Sequence, residues 1–300
     1  MVRRSTLALL AAAALLLGGC AQMAGDGDVS GDWAVLPKAE VPVPAAGVCR
    51  VNVMSEKYVD WDLALLAAPA VECGMNHAAE TYHVGRITDA KTRELSSPPD
   101  VGDALFKPIY TTCVKQAKLF LGGDYHDARV SIVPVLPTDT EWRGEGRFFR
   151  CEMFEISDGD ETIVERTGSL KDGLLGSRPA ALQCVNYTSD DEDALENFRF
   201  LPCSKSHLAE YTGTFTPKDG KYPGDTKVDD QGSAGCFAVG ARYLGMSVSA
   251  LDASGGFQWI HDGMNDTLWS IGERSQRCYI GPYPDKKIKG SVKGKSPSRW

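Results

Sequence analysis

Eight cysteines spread along the chain constrain its fold more than any other feature. They follow a ninth, Cys20, and stand at Cys49, Cys73, Cys113, Cys151, Cys184, Cys203, Cys236 and Cys278. Because the N-terminus carries an export signal, described below, their even number favours disulfide bonds. A zinc–thiolate site is disfavoured, since no Cys-x-x-Cys spacing occurs among them.

The cysteines belong to an internal repeat. A cysteine followed four residues later by histidine, and three residues after that by glutamate, occurs twice, as Cys73, His77, Glu80 and as Cys203, His207, Glu210. One such match is weak evidence of a shared origin. Further matches downstream, in the same order, strengthen it.

Two more motifs recur. The segments CVKQAKLFLGG from Cys113 and CFAVGARYLGM from Cys236 share helical spacing and a glycine at the helix end. Each is followed by a tryptophan nine residues before a cysteine, with an arginine five residues after the tryptophan; these pairs are Trp142 with Arg147 and Trp269 with Arg274. The constant order predicts that one unit was duplicated.

Duplication assigns four cysteines to each half, which leaves three possible pairings per half. Among them we favour bonds between neighbours: Cys49 with Cys73, Cys113 with Cys151, Cys184 with Cys203, and Cys236 with Cys278. Loops of roughly 20 to 40 residues, once closed, would each stabilise the fold by about 3 to 4 kcal/mol in the loop-entropy model. That is a large share of the stability of a small domain.

The first 20 residues are typical of a bacterial export signal. Two arginines precede an apolar run at 7–17 that is too short to span a membrane. The segment ends in Leu-Gly-Gly-Cys, which resembles a lipobox, so Cys20 is the expected lipidation site. Acyl chains there would anchor the protein to the extracytoplasmic face of the cell membrane. Residues 21–46, rich in Ala, Gly, Asp and Pro, are predicted to form a disordered tether.

Short apolar or alternating runs bounded by Gly, Asn and Asp predict strands around one main helix in each half. The expected fold class is α+β, with two similar disulfide-stapled domains, each a small, mainly antiparallel sheet covered by that helix. The predicted organisation is a first domain at 47–165, a linker at 166–181, a second domain at 182–283 and a basic flexible tail at 284–300. The first main helix is expected within residues 101–121, where Pro108 marks either a kink or the first turn.

This order of motifs resembles the bacterial septum formation-related domain, which is found in exported and lipid-anchored envelope proteins. The resemblance covers residues 47–165 and 182–283, and therefore implies two tandem copies. It implies a link to septum formation or wall assembly, and it carries over no catalytic residues. The second copy departs from the pattern at its start, where Leu182-Gln183-Cys184 replaces Gly47-Val48-Cys49.

The repeated polar pairs have structural and functional interpretations. The histidine and glutamate of each copy are expected to fix a turn beside a disulfide; the alternatives are a ligand-binding rim or a zinc site shared by both copies, although zinc requires three or four converging ligands. The tryptophan of each copy is expected in the core, with a ligand-stacking corner formed with its arginine as the alternative. The acidic run 189–193 lacks the oxygen spacing of a calcium loop and is expected to open a helix at 194–198.

Composition and motifs argue against most enzymes and against nucleic-acid binding. The formal charge of -8 is unfavourable for nucleic acid. No Gly-x-Ser-x-Gly, Ser-x-x-Lys or His-Glu-x-x-His motif occurs. We therefore expect a non-catalytic envelope protein without a cofactor, which acts as a binding or scaffold module. Its expected partners are the membrane, through the lipid, and an envelope protein or wall polymer; the alternatives are a wall hydrolase with paired carboxylates and a solute- or metal-binding lipoprotein.

Overall fold

Antiparallel pairing of short strands organises the computed structural model of the chain. The structure describes residues 40–51, 68–189 and 195–300. The predicted signal at 1–20, with Cys20, and residues 21–39 of the predicted tether lie outside the described residues. Residues 40–46 have no regular secondary structure. Val41–Trp300 forms one compact unit, so the two halves are packed together within it.

The described residues of the first half form six strands, all paired antiparallel. They are β1 (Val48–Arg50), β2 (Ala70–Val71), β3 (Ala79–Arg86), β4 (Val130–Val135), β5 (Phe148–Ile156) and β6 (Ile163–Val164). The order across the sheet is β2-β1-β3-β5-β4, and β6 extends the sheet beside the end of β5. Because β5 is central, eight of its nine residues are buried.

Helix α1 (Lys107–Leu121) covers this sheet. It begins at 107 because Pro108 occupies the first turn, where a missing N–H costs nothing. Its buried face repeats every four residues: Ile109, Cys113, Ala117 and Leu121. Gly122 ends the helix in the left-handed conformation, with φ of 77°. A shorter helix, α2 (Asp139–Arg143), begins with a capping box and leads into β5.

The second half contains a five-stranded antiparallel sheet of order β11-β12-β10-β7-β8. Its strands are β7 (Cys184–Ser189), β8 (Leu195–Leu201), β10 (Ala209–Phe215), β11 (Phe257–His261) and β12 (Gln276–Pro282), while β9 (Ser206–His207) and β13 (Ile288–Lys289) form a separate pair. The helices of this half are α3 (Asp225–Tyr243), α4 (Val248–Ser254) and α5 (Asp266–Ile271). Short 3-10 helices lie at Ala90–Glu94, Tyr125–Asp127 and Pro297–Arg299.

The two sheets have the same strand order. Strands β8, β7, β10, β12 and β11 take the places of β2, β1, β3, β5 and β4. The main helix of each half lies between corresponding strands, α1 before β4 and α3 before β11. A bulge interrupts β3 between Thr81 and His83, and another interrupts β10 between Tyr211 and Gly213. The expected α+β class with antiparallel sheets is confirmed.

The eight cysteines form the four predicted bonds between neighbours. Cα separations are 5.0 Å for Cys49–Cys73, 5.4 Å for Cys113–Cys151, 5.1 Å for Cys184–Cys203 and 5.1 Å for Cys236–Cys278. The second and fourth bonds join the main helix of each half to a central strand. The first and third join the opening strand of each half to the turn that precedes the next long strand.

Two segments predicted to be a linker and a flexible tail pack against the halves instead. We call residues 166–170 the first strap and residues 288–292 the second strap. Arg166 pairs with His77, and Ile288 pairs with His207. Leu170 of the first strap is 2% exposed, and Ile288 and Val292 of the second are 7% and 3% exposed, so each strap buries one or two apolar side chains among polar neighbours.

The prediction of a helix at 194–198 is also wrong for residues 195–198, which the structure describes. Leu195–Leu201 is strand β8, which pairs antiparallel with β7 through Cys184 opposite Leu201 and Ser189 opposite Leu195. Tertiary pairing in this hairpin therefore overrides the local preference that acidic residues suggest. The acidic residues at 190–193 lie outside the described residues.

Replacing both Cys113 and Cys151 with alanine is expected to lower the free energy of unfolding. The bond closes a loop with a sequence separation of 38, for which the loop-entropy model gives about 4 kcal/mol. Equilibrium urea unfolding, with a thiol assay to verify that the other bonds are intact, measures the difference. A loss below about 1 kcal/mol would contradict a stabilising role for this bond.

Candidate functional site

The two halves meet along a cleft lined by polar and aromatic side chains from both. Two adjoining cavities occupy it, with volumes of about 540 and 640 Å³. They share Glu161 from the first half and Asp262, Gly263 and Arg277 from the second half. A concave site with a few converging polar groups is the usual form of a ligand site.

A carboxylate of the second half enters a polar cluster of the first half at one side of this cleft. Glu273 accepts hydrogen bonds from the Tyr110 hydroxyl at 2.5 Å and from the Tyr125 hydroxyl. The ring of His126 lies 3.1 Å from the same carboxylate through Nε2, and its Nδ1 lies 2.6 Å from Asp124 Oδ1. Glu273 is 9% exposed, so these contacts replace the water that it loses.

The cluster shifts the pKa of its two central groups in opposite directions. Burial alone would lower the pKa of His126, but hydrogen bonds to Asp124 and Glu273 outweigh burial and raise the pKa to about 9. Burial alone would raise the pKa of Glu273, but the hydrogen bonds and charge of His126 outweigh it and lower the pKa to about 2. An imidazolium–carboxylate pair therefore joins the halves at neutral pH.

Arg277 makes a second connection between the halves. From β12 it donates through Nε to the His126 carbonyl at 3.1 Å and through Nη2 to the Val130 carbonyl at 3.2 Å. Its Nη1 lies 4.0 Å from Asp262 Oδ2. The guanidinium therefore binds both a backbone edge of the first half and the wall of the cleft.

Two carboxyl groups that line both cavities, those of Glu161 and Asp262, have shifted pKa values. Withdrawal from bulk water in the cleft raises the pKa of Glu161, and it also raises the pKa of Asp262. Glu161 also accepts a hydrogen bond of 2.9 Å from the Ser131 hydroxyl. The cleft therefore holds two carboxyl groups whose pKa lies above the ordinary value, beside a fixed guanidinium.

The predicted histidine–glutamate pairs lie outside this cleft and hold the straps. Glu80 accepts hydrogen bonds from the Ser169 hydroxyl at 2.7 Å and from the Leu170 N–H at 2.9 Å. The same strap contact recurs in the second half, where Glu210 accepts from the Val292 N–H at 2.6 Å and from the Ser291 hydroxyl. The two glutamates bind the two straps in corresponding ways.

The two histidines have corresponding environments as well. Nδ1 of His77 lies 2.8 Å from the Met75 carbonyl, and Nδ1 of His207 lies 2.8 Å from the Lys205 carbonyl. Since a carbonyl only accepts, Nδ1 carries the proton in each ring. Each ring thus fixes a turn of its own half.

One predicted alternative for these residues was a metal site. Ligand atoms of Cys184, Cys203, His207 and Glu210 lie within 4.8 Å of one another. Both sulfurs are joined in a disulfide, whereas zinc binds the thiolate form. This group of side chains is therefore not arranged to bind zinc while the disulfide is present.

The tryptophan–arginine pairs also lie in the cores of the halves. Trp142 is 1% exposed and donates through Nε1 to the Leu95 carbonyl at 2.9 Å, with Arg147 stacked 3.7 Å from the ring centroid. Trp269 donates in the same way to the Gly220 carbonyl at 2.7 Å. Arg274 lies farther from its ring, at 5.7 Å, because it pairs with Asp219. Neither indole face is free to stack a ligand.

Sequence reasoning missed the residues that line the cleft. Glu273 stands four residues after Trp269, where the first half has Gly146 four residues after Trp142. Differences between the two repeats at corresponding positions, rather than their shared residues, are the signal that could have identified this site. The shared residues stabilise each half separately.

The chain matches the sequence model of a known protein family. The sequence model described as septum formation matches residues 58–278, which is most of the chain. The chain belongs to the septum formation family. Neither a curated protein nor a solved structure matches it. The family match covers most of both halves, from before β2 into β12.

In residues 40–51, 68–189 and 195–300, no single helix combines the length and the apolar composition needed to cross a membrane. Only α3 and α4 taken as a pair, bent by 92° at the break between them, meet those two criteria.

The stability of this protein is expected to fall as pH rises from 6.5 to about 9, which are the ordinary and the folded-state pKa of His126. A pKa raised by folding stabilises the protein fully below the unfolded-state value, and this contribution disappears as pH passes the folded-state value. The expected loss is on the order of 3 kcal/mol. Urea unfolding at several pH values measures it.

The variant His126→Gln should be less stable at pH 6 and should lose most of this alkaline slope. His83→Gln is the matched control, because burial lowers the pKa of His83 and places its titration at more acidic pH. A His126→Gln protein that keeps the full slope would show that other groups cause it.

Proposed function

We propose that this protein is a non-catalytic binding or scaffold module of the cell envelope that acts in septum formation. The family match over residues 58–278 carries the proposal, because it covers most of both halves. The cleft gives such a module one concave surface for a partner. In this proposal the partner is an envelope protein or a wall polymer, and the formal charge of -8 argues against nucleic acid.

The two halves are, in this proposal, tandem copies of one septum formation-related domain at 47–165 and 182–283. The equal strand order, the corresponding bulges and the corresponding disulfides support it. The two straps, bound by corresponding glutamates, extend the likeness beyond those ranges. Each copy would then include its strap.

The proposal places the protein on the extracytoplasmic face of the cell membrane, anchored by lipid on Cys20. The support is the N-terminal sequence, where an apolar run ends in Leu-Gly-Gly-Cys. Disulfides in both halves are consistent with an oxidising compartment. A tether at 21–46 would let the folded unit reach partners away from the bilayer surface.

A non-catalytic role is supported by the way the acid and base groups of the cleft are used. Both ring nitrogens of His126 contact carboxylates, and Glu273 accepts hydrogen bonds from two tyrosines. A general base needs a free lone pair in reach of its substrate. These groups instead bind each other and hold the halves together.

A fluorescent fusion is expected to concentrate at midcell in dividing cells. The measurement compares the native sequence with Cys20→Ser, which removes the proposed lipid site. The native fusion should fractionate with membranes, whereas the variant should be released because it lacks acyl chains. A uniform envelope signal from the native fusion would contradict the septal role, and membrane retention of Cys20→Ser would contradict the lipid anchor.

A wall-directed glycosidase is the second candidate, and one observation favours it. Glu161 and Asp262 both lie on the shared wall of the cleft and have raised pKa values. Glycosidases combine a protonated acid with a second carboxylate. The carboxyl pair therefore offers a direct way to distinguish an enzyme from a binding module.

We expect no release of soluble fragments when the purified protein is incubated with purified peptidoglycan. The variants Glu161→Gln and Asp262→Asn should behave like the native protein, as should Asp252→Asn, an exposed acid on α4. Release by the native protein that either cleft variant abolishes, and that Asp252→Asn preserves, would establish the glycosidase and overturn the non-catalytic proposal.

A further inference from the structure

Strand β11 lies at the edge of the second sheet. Among the described residues it pairs only with β12. In an antiparallel pair, every second residue bonds to the partner strand. Two bonds at the ends of β11 show which residues these are: the Asp262 N–H donates to the Arg277 carbonyl, and the Tyr283 N–H donates to the Gly256 carbonyl. Even-numbered residues of β11 therefore bond to β12, and the backbone groups of Phe257, Trp259 and His261 face outward.

The corresponding edge of the first half is blocked. The bond from the Ile156 N–H to the Arg129 carbonyl fixes the alternation there, so Val130, Ile132 and Pro134 of β4 face outward. Proline has no N–H to offer, and the Val130 carbonyl already accepts from Arg277. Blocking of this kind prevents strand addition at an edge. The second half has His261 where the first has Pro134, and its edge lacks this protection.

Cavities run along the open edge. One of about 310 Å³ is lined by Trp259, Ile260 and His261, and it adjoins the 640 Å³ cavity of the cleft, with which it shares Leu195, Phe198 and His261. Trp259 is 39% exposed and offers an aromatic surface at one end. The space beside β11 therefore continues directly into the cleft between the halves.

Acidic side chains outnumber basic ones along this path. Asp160, Glu161, Glu196, Asp229 and Asp262 line the two cavities, where the basic groups are Arg277 and His261. Arg277 bonds to backbone carbonyls, and His261 Nε2 lies 3.5 Å from Asp229. The excess of acidic side chains favours a cationic occupant, and the exposed indole would add cation–π attraction. A second copy of this chain, with formal charge -8, would bring further negative charge to the edge.

We infer that the outer edge of β11 is a docking site for an extended segment of a partner protein that bears lysine or arginine side chains. The segment adds as a strand beside Phe257, Trp259 and His261, and its basic side chains reach the carboxylates of the adjoining cavities. Backbone hydrogen bonds give such complexes their affinity, and side-chain pockets give them specificity. The inference rests on the proposed function as a binding module and specifies its partner.

The test uses the purified full chain and a fluorescein-labelled octapeptide of alternating lysine and threonine. Fluorescence anisotropy should show saturable binding that weakens with added salt. The same peptide with N-methylated backbone keeps its charge but loses N–H donors on one edge, so its affinity should fall by about tenfold or more. A glutamate–threonine octapeptide should not bind.

The difference between His261 in β11 and Pro134 in β4 suggests a matched pair of protein variants. His261→Pro copies Pro134 of the first half and should lower affinity by about tenfold, because it removes an outward N–H without touching the ladder to β12. His261→Ala removes the imidazole and keeps the N–H, so it should bind within about threefold of the native chain. Glu196→Gln should weaken binding, whereas Asp252→Asn on α4 should not. Circular dichroism verifies that each variant is folded.

Several outcomes would overturn the inference. These are an absence of saturable binding, equal binding of the N-methylated probe, or equal affinity in His261→Pro and His261→Ala. A dimer that sedimentation detects in the native chain and not in His261→Pro would show that a second copy is the occupant. Failure of the peptide to bind while the fusion still concentrates at midcell would overturn this inference alone. Normal peptide binding with a uniform envelope signal would overturn the septal role alone.

Discussion

The bond between the main helix and a central strand is the constraint on which each half depends. Cys113 and Cys151 are fully buried, and their disulfide lies between the helix and the sheet. The second half relies on its bond more heavily, because α3 contains three glycines, which are poor helix formers. A Cβ at Gly235 would lie 2.2 Å from the Phe215 ring, so the glycine permits a close approach that a larger residue would prevent. A covalent bond compensates for what this helix lacks in intrinsic stability.

The two halves have become different where they touch. Gly146 and Arg150 in the first half correspond to Glu273 and Arg277 in the second. Arg150 contacts Glu152 within its own sheet, whereas Arg277 reaches across to carbonyls of the other half. A carboxylate in place of a glycine and a redirected guanidinium thus connect two similar units, in addition to backbone bonds such as the one from the Phe200 N–H to the Ser157 carbonyl. The cleft lies beside both of these side chains.

Much of the fold could be predicted from the sequence, because cysteine spacing and repeated motifs act within one half. The disulfide pairs and the main helices follow from such local regularities. The junction could not be predicted, since Glu273 and Tyr110 are 163 residues apart and share no motif. The straps were missed because only one or two apolar residues in each are buried, among glycine, serine and lysine. Strand β8 was missed because its hairpin with β7, rather than its own composition, determines its conformation.

The second strap has a consequence for the order in which the chain folds. Glu210 is 2% exposed, and it receives the Val292 N–H from 82 residues farther along the chain. A nascent chain that ends before residue 288 would therefore leave this carboxylate without the Ser291 hydroxyl and the Val292 N–H, while the Tyr243 hydroxyl could still donate to it. Glu80, the corresponding carboxylate of the first half, receives both strap donors by residue 170. An exported chain would thus place its first strap before its second, and proteolytic trimming near the C-terminus would release the second strap while the first stays bound.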